Sequence, residues 1–418
     1  MKQDCGFTTG LLHKGLKNLK GQGEILPAIS QVSAFSYESM EELEKVFSHK
    51  SMGFAYTRIG NPTLSAFEQK INILEGGIGA ISCSSGMAAI SSTIFNVCES
   101  GDEIIAGKGL YGGTLDLFHD LEKLGIHTVF ADVLNGKTIR ELANERTKAV
   151  FGEVISNPSL NVLDIKEASE AAHEAGIPLF VDATTATPFL VTPLSLGADV
   201  VIHSTSKYIN GGGNSIGGMI VDGGKFPWDF TKHKALSEYK KYGKMAFLLR
   251  LRTDLWENLG GCMSPVNAYL SYIGVETLGL RMERICKNAD ALAHALDKEK
   301  DITVNYLTLK DHPFREYVNR QLNGYGGGIL TFRAGSKERA FKIVNSLKYS
   351  LIASNIGDLR TLVIHPSSTL YARLSEEERE AAGVYEDTVR VSVGIEDIND
   401  LTEDFLNAVR NTETDDVR

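Results

Sequence analysis

The sequence predicts an α/β fold with a mainly parallel sheet, followed by a smaller α+β region. Short apolar runs alternate with amphipathic segments from about residue 76 to 220. The runs are continuous and rich in Val and Ile, as in strands buried on both faces. Strands that alternate with helices require crossover connections, and these build a parallel sheet. With 418 residues, 43% apolar and 23% charged, the chain can form two or three domains with their own cores.

The elements of this sheet can be assigned in order along the chain. Residues 1–62 are rich in turns, so we expect an extended N-terminal arm. Six apolar runs then predict strands: GAISCSS, DEIIAG, HTVFADV, AVFGEVI, PLFVDAT and ADVVIHST. The segments between them have helical spacing and often end in Gly: MAAISSTIFNVCE, TLDLFHDLEKLG, KTIRELANE and IKEASEAAHEAG.

A long helical stretch after residue 262 leads into the smaller region. There three runs predict strands (GGGILTFRA, TLVIHPSS and VRVSVGI) and two predict helices (AFKIVNSLK and DLTEDFLNAVR). We therefore expect an arm over 1–62, a large domain over 63–262 and a C-terminal domain over 263–418.

Charge and composition exclude several classes of function. A net charge of −10, without a long basic stretch, argues against binding to nucleic acid or to an anionic membrane. The N-terminus lacks a signal-peptide core, and no apolar run approaches the ~20 residues of a membrane helix. The five cysteines form no CxxC pair, so neither a zinc site nor a disulfide framework is indicated. We expect a soluble, cytoplasmic protein without a metal.

The glycine-rich segment GGGNSIGG, residues 211–218, resembles a nucleotide-binding loop only superficially. It fails the G-x-G-x-x-G spacing in every register and has no GK[ST] sequence. We interpret it as a turn in which the backbone passes close to another part of the protein.

Candidate site residues follow the predicted strands, where ligands of parallel sheets bind. Ser85-Gly86-Met87 lies between a strand and a helix, which suits either a helix N-cap or a phosphate site. Asp182 ends an apolar run, where a carboxylate must be solvated or paired. Lys207 ends ADVVIHSTSK and is either a solvent-reaching side chain or a desolvated amine that attacks carbonyls. Together they form the set that pyridoxal 5'-phosphate (PLP) requires: a covalently binding lysine, an acidic partner for the ring nitrogen and an anchored phosphate.

Seven motifs give the chain a resemblance to the Cys/Met-metabolism family of PLP enzymes, in the family order and over nearly the whole chain. The family includes cystathionine γ-synthase, the γ-lyases and the acylhomoserine sulfhydrylases. The resemblance implies the fold-type I, aspartate aminotransferase-like architecture, with PLP as cofactor. The motifs are YTRIGNPT, SSGMAAI, LYGGT, ISNPSL, VDATTATP, HSTSKYINGGG and VRVSVGIED.

The resemblance also implies roles around the cofactor. Lys207 is similar to the lysine bonded to the cofactor, and Asp182 to the carboxylate that pairs with its ring nitrogen. Tyr111 is similar to the tyrosine that stacks on the ring, and it assists catalysis. The residues that match phosphate ligands are Ser85, Gly86, Met87, Ser204 and Ser206.

Further matches concern the substrate and a neighbouring subunit. Asn157 is expected near the cofactor O3' and the substrate carboxylate, which Arg390 and Ser354 also bind. Tyr56 and Arg58 resemble residues that reach the cofactor phosphate of the neighbouring subunit. The resemblance therefore implies a dimeric site, within a homotetramer that is a dimer of dimers.

Within the family, the chain most resembles O-acetylhomoserine sulfhydrylases. SNIGDLRTLVIHPSST, LSEEEREAAGVYEDTVRVSVGIEDI and GGMIVDGGKFPW carry this similarity. Gly113 stands where methionine γ-lyases typically have cysteine, and Leu370-Tyr371 replaces the usual Thr-His of the subgroup. The expected reaction replaces the acetate of O-acetyl-L-homoserine by a sulfur nucleophile, which gives homocysteine or methionine. A methionine γ-lyase or a cystathionine γ-synthase remains an alternative, and sulfide, methanethiol and a protein-borne thiocarboxylate all remain open as sulfur donors.

Overall fold

A seven-stranded sheet organises the first half of the chain. The computed structural model describes residues 5–14, 24–48 and 50–412. All six predicted strands are present, and a seventh strand, which follows the glycine-rich segment, was missed. The strands are β1 Gly79–Cys83, β2 Glu103–Gly107, β3 His127–Ala131, β4 Thr147–Glu153, β5 Leu179–Asp182, β6 Val200–His203 and β7 Gly218–Asp222.

The order of this sheet is β1-β7-β6-β5-β4-β2-β3. Strands β3, β2, β4, β5 and β6 run parallel to one another, as predicted. The missed strand β7 lies between β6 and β1 and is antiparallel to both. The sheet is therefore mainly parallel, and the carboxyl ends of β4, β5 and β6 meet at one edge.

Helices pack against this sheet, and the four predicted from their spacing are present at Gly86–Phe95, Gly112–Glu122, Gly136–Leu142 and Ile165–Glu174. The helices at Pro62–Glu75 and Thr187–Leu190 were not predicted. All strands of the sheet except the edge strand β3, which is mostly half-buried, are almost entirely buried, and they form one large apolar core with the inner faces of these helices. The helices are α3 Pro62–Glu75, α4 Gly86–Phe95, α5 Gly112–Glu122, α6 Gly136–Leu142, α7 Ile165–Glu174 and α8 Thr187–Leu190.

The N-terminal region is less extended than we expected. It contains α1 Phe7–His13 and α2 Met40–Phe47. The second helix begins because the Ser39 hydroxyl accepts the Glu42 N–H at 3.2 Å, which satisfies one of its free donors. Glu41 and Glu42 in its first turn complement the positive end of the helix dipole. Local capping thus outweighs the turn-rich composition of this segment.

A smaller, five-stranded sheet of order β10-β11-β12-β9-β8 forms the second half. Strand β10 is parallel to β11, and the other pairs are antiparallel. The sheet packs with the helices Leu278–Leu296, Lys337–Ser346 and Ile398–Arg410 around a second apolar core. The three predicted strands are confirmed. The strands are β8 Thr303–Asn305, β9 Ile329–Arg333, β10 Leu351–Ile352, β11 Leu362–Ile364 and β12 Thr388–Ser392.

The helical stretch expected after residue 262 is two helices. They are α11 Pro265–Glu276 and α12 Leu278–Leu296. Two 3-10 helices lie earlier in the chain, at Pro193–Ser195 and Lys234–Met245. The second leads into a continuous helical segment, which consists of α9 Ala246–Arg250, a π-helical turn at Leu251–Trp256 and α10 Glu257–Leu259. The remaining helices are α13 Arg315–Arg320, α14 Lys337–Ser346, α15 Glu376–Ala381 and α16 Ile398–Arg410.

Three further observations bear on the classes of function considered above. Within the described residues, no helix is long and apolar enough to cross a membrane. The same part of the chain holds no group of three His, Cys, Asp or Glu side chains that could bind a metal ion. All five cysteines are free thiols.

Candidate active site

A cavity opens at the carboxyl ends of β4, β5 and β6, and the second sheet closes its far side. Of the thirteen residues predicted for the site, eleven line this cavity. Two, Tyr56 and Arg58, do not. The eleven are Ser85, Gly86, Met87, Tyr111, Asn157, Asp182, Ser204, Ser206, Lys207, Ser354 and Arg390.

The start of α4 forms one wall of the cavity. Ser85 is its N-cap, and the Ser85 hydroxyl accepts the Ala88 N–H at 3.0 Å. The following Gly86 lies against β6, because a Cβ there would come within 2.6 Å of the Ser204 Cβ. Gly86 and Met87, in the first turn of α4, line the cavity, and the free backbone N–H groups of a helix start suit an anion.

The hydroxyl of Ser206 has protein partners of its own. It accepts the Gly217 N–H at 2.9 Å and donates to the Gly217 carbonyl at 3.1 Å. Any contact with a phosphate would have to replace the donated bond. At Ser204 it is the backbone N–H that is bound, since it donates to the Thr184 Oγ1 at 2.7 Å.

Lys207 projects into the cavity from the loop after β6. Its amine donates to the Asn355 Oδ1 at 2.6 Å. Burial, with the charge of Arg390 adding to it, lowers the pKa of Lys207 from 10.5 to about 8. An amine in this range is unprotonated in an appreciable fraction of molecules near neutral pH, which a nucleophile or a base requires.

Two neighbouring carboxyl groups lie at the ends of β4 and β5. Glu153 and Asp182 stand opposite each other in the register of the two strands. Burial raises the pKa of Asp182, although the Thr184 N–H donates to its Oδ1 at 2.8 Å. Burial, and then the charge of Asp182, raises the pKa of Glu153 to about 8. Within the described residues neither carboxyl has an ion-pair partner, so the pair is suited to a cation on a ligand.

Tyr111 precedes α5 and is held through its backbone. Its N–H donates to the Glu153 Oε1 at 2.8 Å. The phenol ring lies over its own helix start, where a Cβ on Gly113 would come within 2.7 Å of the Tyr111 Cε1. Burial raises the pKa of the Tyr111 phenol, so it remains a proton donor at neutral pH.

Arg390 reaches the cavity from β12 of the second sheet and is 2% exposed. Its guanidinium donates to the Asn157 Oδ1 at 3.4 Å and to the Asn355 carbonyl at 2.9 Å. The buried Nε has no hydrogen-bond partner among the described residues. Burial lowers the pKa of Arg390 to about 10. A buried guanidinium with a free donor is suited to a ligand carboxylate.

Comparison with known proteins identifies the family. The model of the Cys/Met metabolism PLP-dependent enzymes matches residues 8–410. The chain belongs to this family. An O-acetyl-L-homoserine sulfhydrylase of Leptospira meyeri is 38% identical, with 91% of each chain covered. An L-methionine gamma-lyase of Fusobacterium nucleatum subsp. polymorphum is 36% identical, covering 96% of this chain and 97% of its own.

A solved structure extends the likeness to the whole fold. A Campylobacter jejuni protein assigned as an O-acetylhomoserine (thiol)-lyase superposes with a TM-score of 0.92 at 32% identity, covering 97% of this chain and 100% of its own. That protein contains N'-pyridoxyl-lysine-5'-monophosphate. The predicted fold type I architecture and the PLP cofactor are confirmed.

The residues of this Cys/Met metabolism enzyme fit PLP. Glycine is needed at the start of α4 because a Cβ at Gly86 would come within 2.6 Å of the Ser204 Cβ, and the backbone N–H groups of this helix start suit a phosphate. Among the residues that the structure describes, the Asp182 carboxyl has no ion-pair partner, and a protonated pyridine nitrogen would provide one. The partly desolvated amine of Lys207 is suited to an aldehyde.

Tyr56 and Arg58 lie outside this chain's own cavity. Tyr56 is 43% exposed. Arg58 donates to the Glu257 carbonyl at 2.6 Å, and its guanidinium lies 5.5 Å from the centre of the Tyr56 ring. The structure of one chain therefore does not bring them to the other eleven predicted residues.

Glu153 and Asn355 also line the cavity and were not predicted from the sequence. Glu153 ends β4 just as Asp182 ends β5, but the apolar run of the sequence continues through Val154 and Ile155 and conceals the carboxylate. Asn355 follows the predicted Ser354 directly. No periodicity marks it, because its role depends on the second sheet meeting the first.

The glycine-rich segment 211–218 provides close contacts, as we interpreted it. Gly211 has a φ of 70° and Gly213 a φ of 67°, a region that favours glycine. The Arg281 side chain lies next to Gly211 and donates to the carbonyls of Tyr208 and Ile209. Gly211 thus lets the backbone pass close to a structural arginine that the carbonyls just before the segment hold.

Proposed function

We propose that the chain is an O-acetyl-L-homoserine sulfhydrylase, which exchanges the acetate of its substrate for a sulfur nucleophile. The relative from Leptospira meyeri carries this name. The observation that carries the proposal is the charge of the cavity: among its lining residues, only Lys207 and Arg390 are cationic. With Lys207 assigned to the cofactor, one guanidinium remains for one substrate carboxylate. An uncharged acetyl group and a small thiol bring no second carboxylate into the cavity, whereas a succinyl group or cysteine would bring one that lacks a cation.

Nine residues are proposed to hold the cofactor within one chain, and one of them is Asn157. Lys207 binds it covalently, Asp182 keeps its ring nitrogen protonated and Tyr111 stacks on the ring. When bound, the cofactor supplies an electron sink for the negative charge that develops at the substrate Cα. Its phosphate lies at the start of α4, with Ser85, Gly86, Met87, Ser204 and Ser206 as proposed ligands.

The substrate is oriented by its carboxylate. Arg390 offers its unpartnered Nε and an Nη in a planar, two-pronged contact. Asn157, which already contacts Arg390 and is proposed to lie near the cofactor O3', fixes the guanidinium from the large domain. Ser354, which also lines the cavity, is the third residue proposed to bind the substrate carboxylate. The Cα proton then faces the amine of Lys207.

Proton transfers and one substitution at Cγ complete the reaction. Lys207 takes the proton from Cα, since its pKa of about 8 lets the amine accept and return protons near neutral pH. Acetate departs from Cγ with its bonding electrons and takes the proton of the Tyr111 phenol, and the phenolate left behind accepts a second proton, from Cβ. The thiolate then adds at Cγ, and the protons return to Cβ and Cα, which gives homocysteine from sulfide or methionine from methanethiol.

A complete site is proposed to need a second copy of the chain. Tyr56 and Arg58 lie at the surface rather than in their own cavity, so they are available to the phosphate of a neighbouring subunit. Mixing an inactive Arg58→Ala variant with an inactive Lys207→Ala variant should restore activity in mixed dimers. No recovery after verified subunit exchange would refute a shared site.

The proposal extends to the organisation of the protein. We place the arm at 1–62, the PLP domain at 63–262 and the C-terminal domain at 263–418, in a cytoplasmic homotetramer. The sulfur donor is sulfide, methanethiol or the thiocarboxylate of a carrier protein.

Two alternatives share the cofactor chemistry. A methionine γ-lyase is favoured by the Fusobacterium relative, but Gly113 stands where such lyases typically have cysteine. A cystathionine γ-synthase must bind cysteine, whose carboxylate would lack a second cation among the lining residues.

One product comparison separates these reactions. The purified holoenzyme is given O-acetyl-L-homoserine with sulfide, the same donor with cysteine, and L-methionine alone. Our proposal expects homocysteine from the first mixture as the fastest reaction. Faster formation of cystathionine, or of 2-oxobutanoate and ammonia from methionine, would refute it.

A further inference from the structure

The segment 366–374, which links the second sheet to the cavity, carries a buried phenol that contacts two active-site loops. Tyr371 is 1% exposed. Its hydroxyl lies 2.8 Å from the Asn157 carbonyl and 3.3 Å from the Leu110 carbonyl. These carbonyls belong to the loop that presents Asn157 and to the residue immediately before Tyr111. One hydroxyl thus joins two loops that follow different strands of the large sheet.

The segment 366–374 packs closely against the start of α5. A Cβ on Gly112 would lie 3.0 Å from the Leu370 carbonyl and 3.5 Å from the Tyr371 Cε1, so glycine lets the segment approach the start of α5. Within the segment, the Tyr371 N–H donates to the Pro366 carbonyl at 3.0 Å. The neighbouring Leu370 side chain lines the cavity itself.

The contacts continue from Tyr371 to the groups proposed to bind the substrate. Asn157 accepts from Arg390 through its Oδ1, while its backbone carbonyl accepts from Tyr371. Arg390 also donates to the Asn355 carbonyl, and the Asn355 side chain accepts from Lys207. A shift of the Asn157 loop would therefore change the direction of the guanidinium that holds the carboxylate.

We propose that Tyr371 is a positioning residue, which fixes Asn157 and Tyr111 relative to each other and thereby orients the substrate carboxylate against Arg390. This inference rests on the proposed function for the identity of the substrate. Tyr371 is also the position at which the chain has no histidine, unlike the usual Thr-His sequence of the O-acetylhomoserine sulfhydrylases that it resembles. Burial raises the pKa of the Tyr371 phenol, so the hydroxyl stays protonated and continues to donate.

The chain offers a matched control for the test. Tyr306 is also fully buried, and its hydroxyl also contacts two carbonyls, those of Gly327 at 2.9 Å and Cys286 at 3.4 Å. It does not line the cavity. Tyr306→Phe thus removes a comparable hydrogen bond without touching the active-site loops.

Steady-state kinetics of the two holoenzyme variants tests the proposal. For Tyr371→Phe, we expect the KM for O-acetyl-L-homoserine to rise about three- to ten-fold, the range that one buried hydrogen bond supports, with a smaller fall in kcat. Tyr306→Phe should keep both constants within about two-fold, while thermal melting shows a similar loss of stability in the two variants. Equal kinetic effects in both variants would overturn the positioning role.

A second measurement keeps the test independent of the substrate assignment. Hydrogen–deuterium exchange without substrate should speed up at residues 110–115 and 157–163 in Tyr371→Phe and stay unchanged there in Tyr306→Phe. This result supports the positioning role even if the wild-type enzyme fails to convert O-acetyl-L-homoserine, a failure that would refute the proposed function alone. Unchanged exchange in both segments would overturn the positioning role whatever the substrate is.

Discussion

Changing Lys207 to methionine should stabilise the cofactor-free protein at pH 7, although it removes the residue proposed to bind the cofactor. The site lowers the pKa of Lys207 from 10.5 to about 8, which corresponds to roughly 3 kcal/mol against the charged amine. Methionine has a similar length and no charge, so this cost disappears. The Asn355 amide loses the amine that donates to it, which costs about 1 kcal/mol. We expect the free energy of unfolding to rise by about 2 kcal/mol.

The difference in the free energy of unfolding between Lys207→Met and the wild type should decrease as the pH rises. Because the pKa of Lys207 is lower in the folded protein, the unfolded chain binds more protons between about pH 8 and 10.5. Wild-type stability therefore rises with pH through this window. The advantage of the variant is complete below pH 8 and should vanish as the pH approaches 10.5.

Urea unfolding of the apo-proteins at pH 7 and pH 10, at matched concentration, measures both effects. The double variant Lys207→Met/Asn355→Leu is the control: it removes the unpaired amide and should recover about 1 kcal/mol more. A single variant that is less stable than the wild type at pH 7 would refute the reasoning. The same stability difference at both pH values would refute it as well, because it would show that the amine is not desolvated.

Three further substitutions test other parts of the site. Arg390→Lys replaces a planar fork by a point charge, so the KM for O-acetyl-L-homoserine should rise at least ~10-fold; an unchanged KM would exclude Arg390 as the carboxylate ligand. Glu153→Gln should keep kcat within about two-fold below pH 8, where the raised pKa leaves Glu153 mostly protonated, and should differ from the wild type above pH 8; identical pH profiles would refute this titration. Gly113→Ala places a Cβ within 2.7 Å of the Tyr111 ring, so kcat should fall about ten-fold; wild-type kcat would show that the ring position is not critical.

The sequence was most informative where local pattern and burial coincide. Continuous apolar runs identified β1 to β6, and their carboxyl ends identified Asp182 and Lys207. Strand β7 was missed because its short run, GMIVD, follows the glycine-rich segment and has no helix before it. The two-residue strand β10 is too short to leave a pattern.

Contacts across the two sheets could not be predicted from spacing. Lys207 and Asn355 are 148 positions apart, and Asn157 and Arg390 are 233 apart. Propensity and periodicity describe neighbours within a few turns or strands, so they carry no information on such pairs. The resemblance to a family supplied Arg390 and Asn157, whereas Glu153, Asn355 and the bonds of Tyr371 required the folded structure.

Borohydride trapping tests the central assignment of the site most directly. The holoenzyme is reduced with sodium borohydride, digested, and its peptides are sequenced by mass spectrometry. We expect the pyridoxyl phosphate group on Lys207, in the peptide that contains HSTSKYINGGG, and no labelled peptide from Lys207→Ala treated in the same way. Labelling of a different lysine in the wild-type enzyme would contradict the assignment on which the proposed reaction rests.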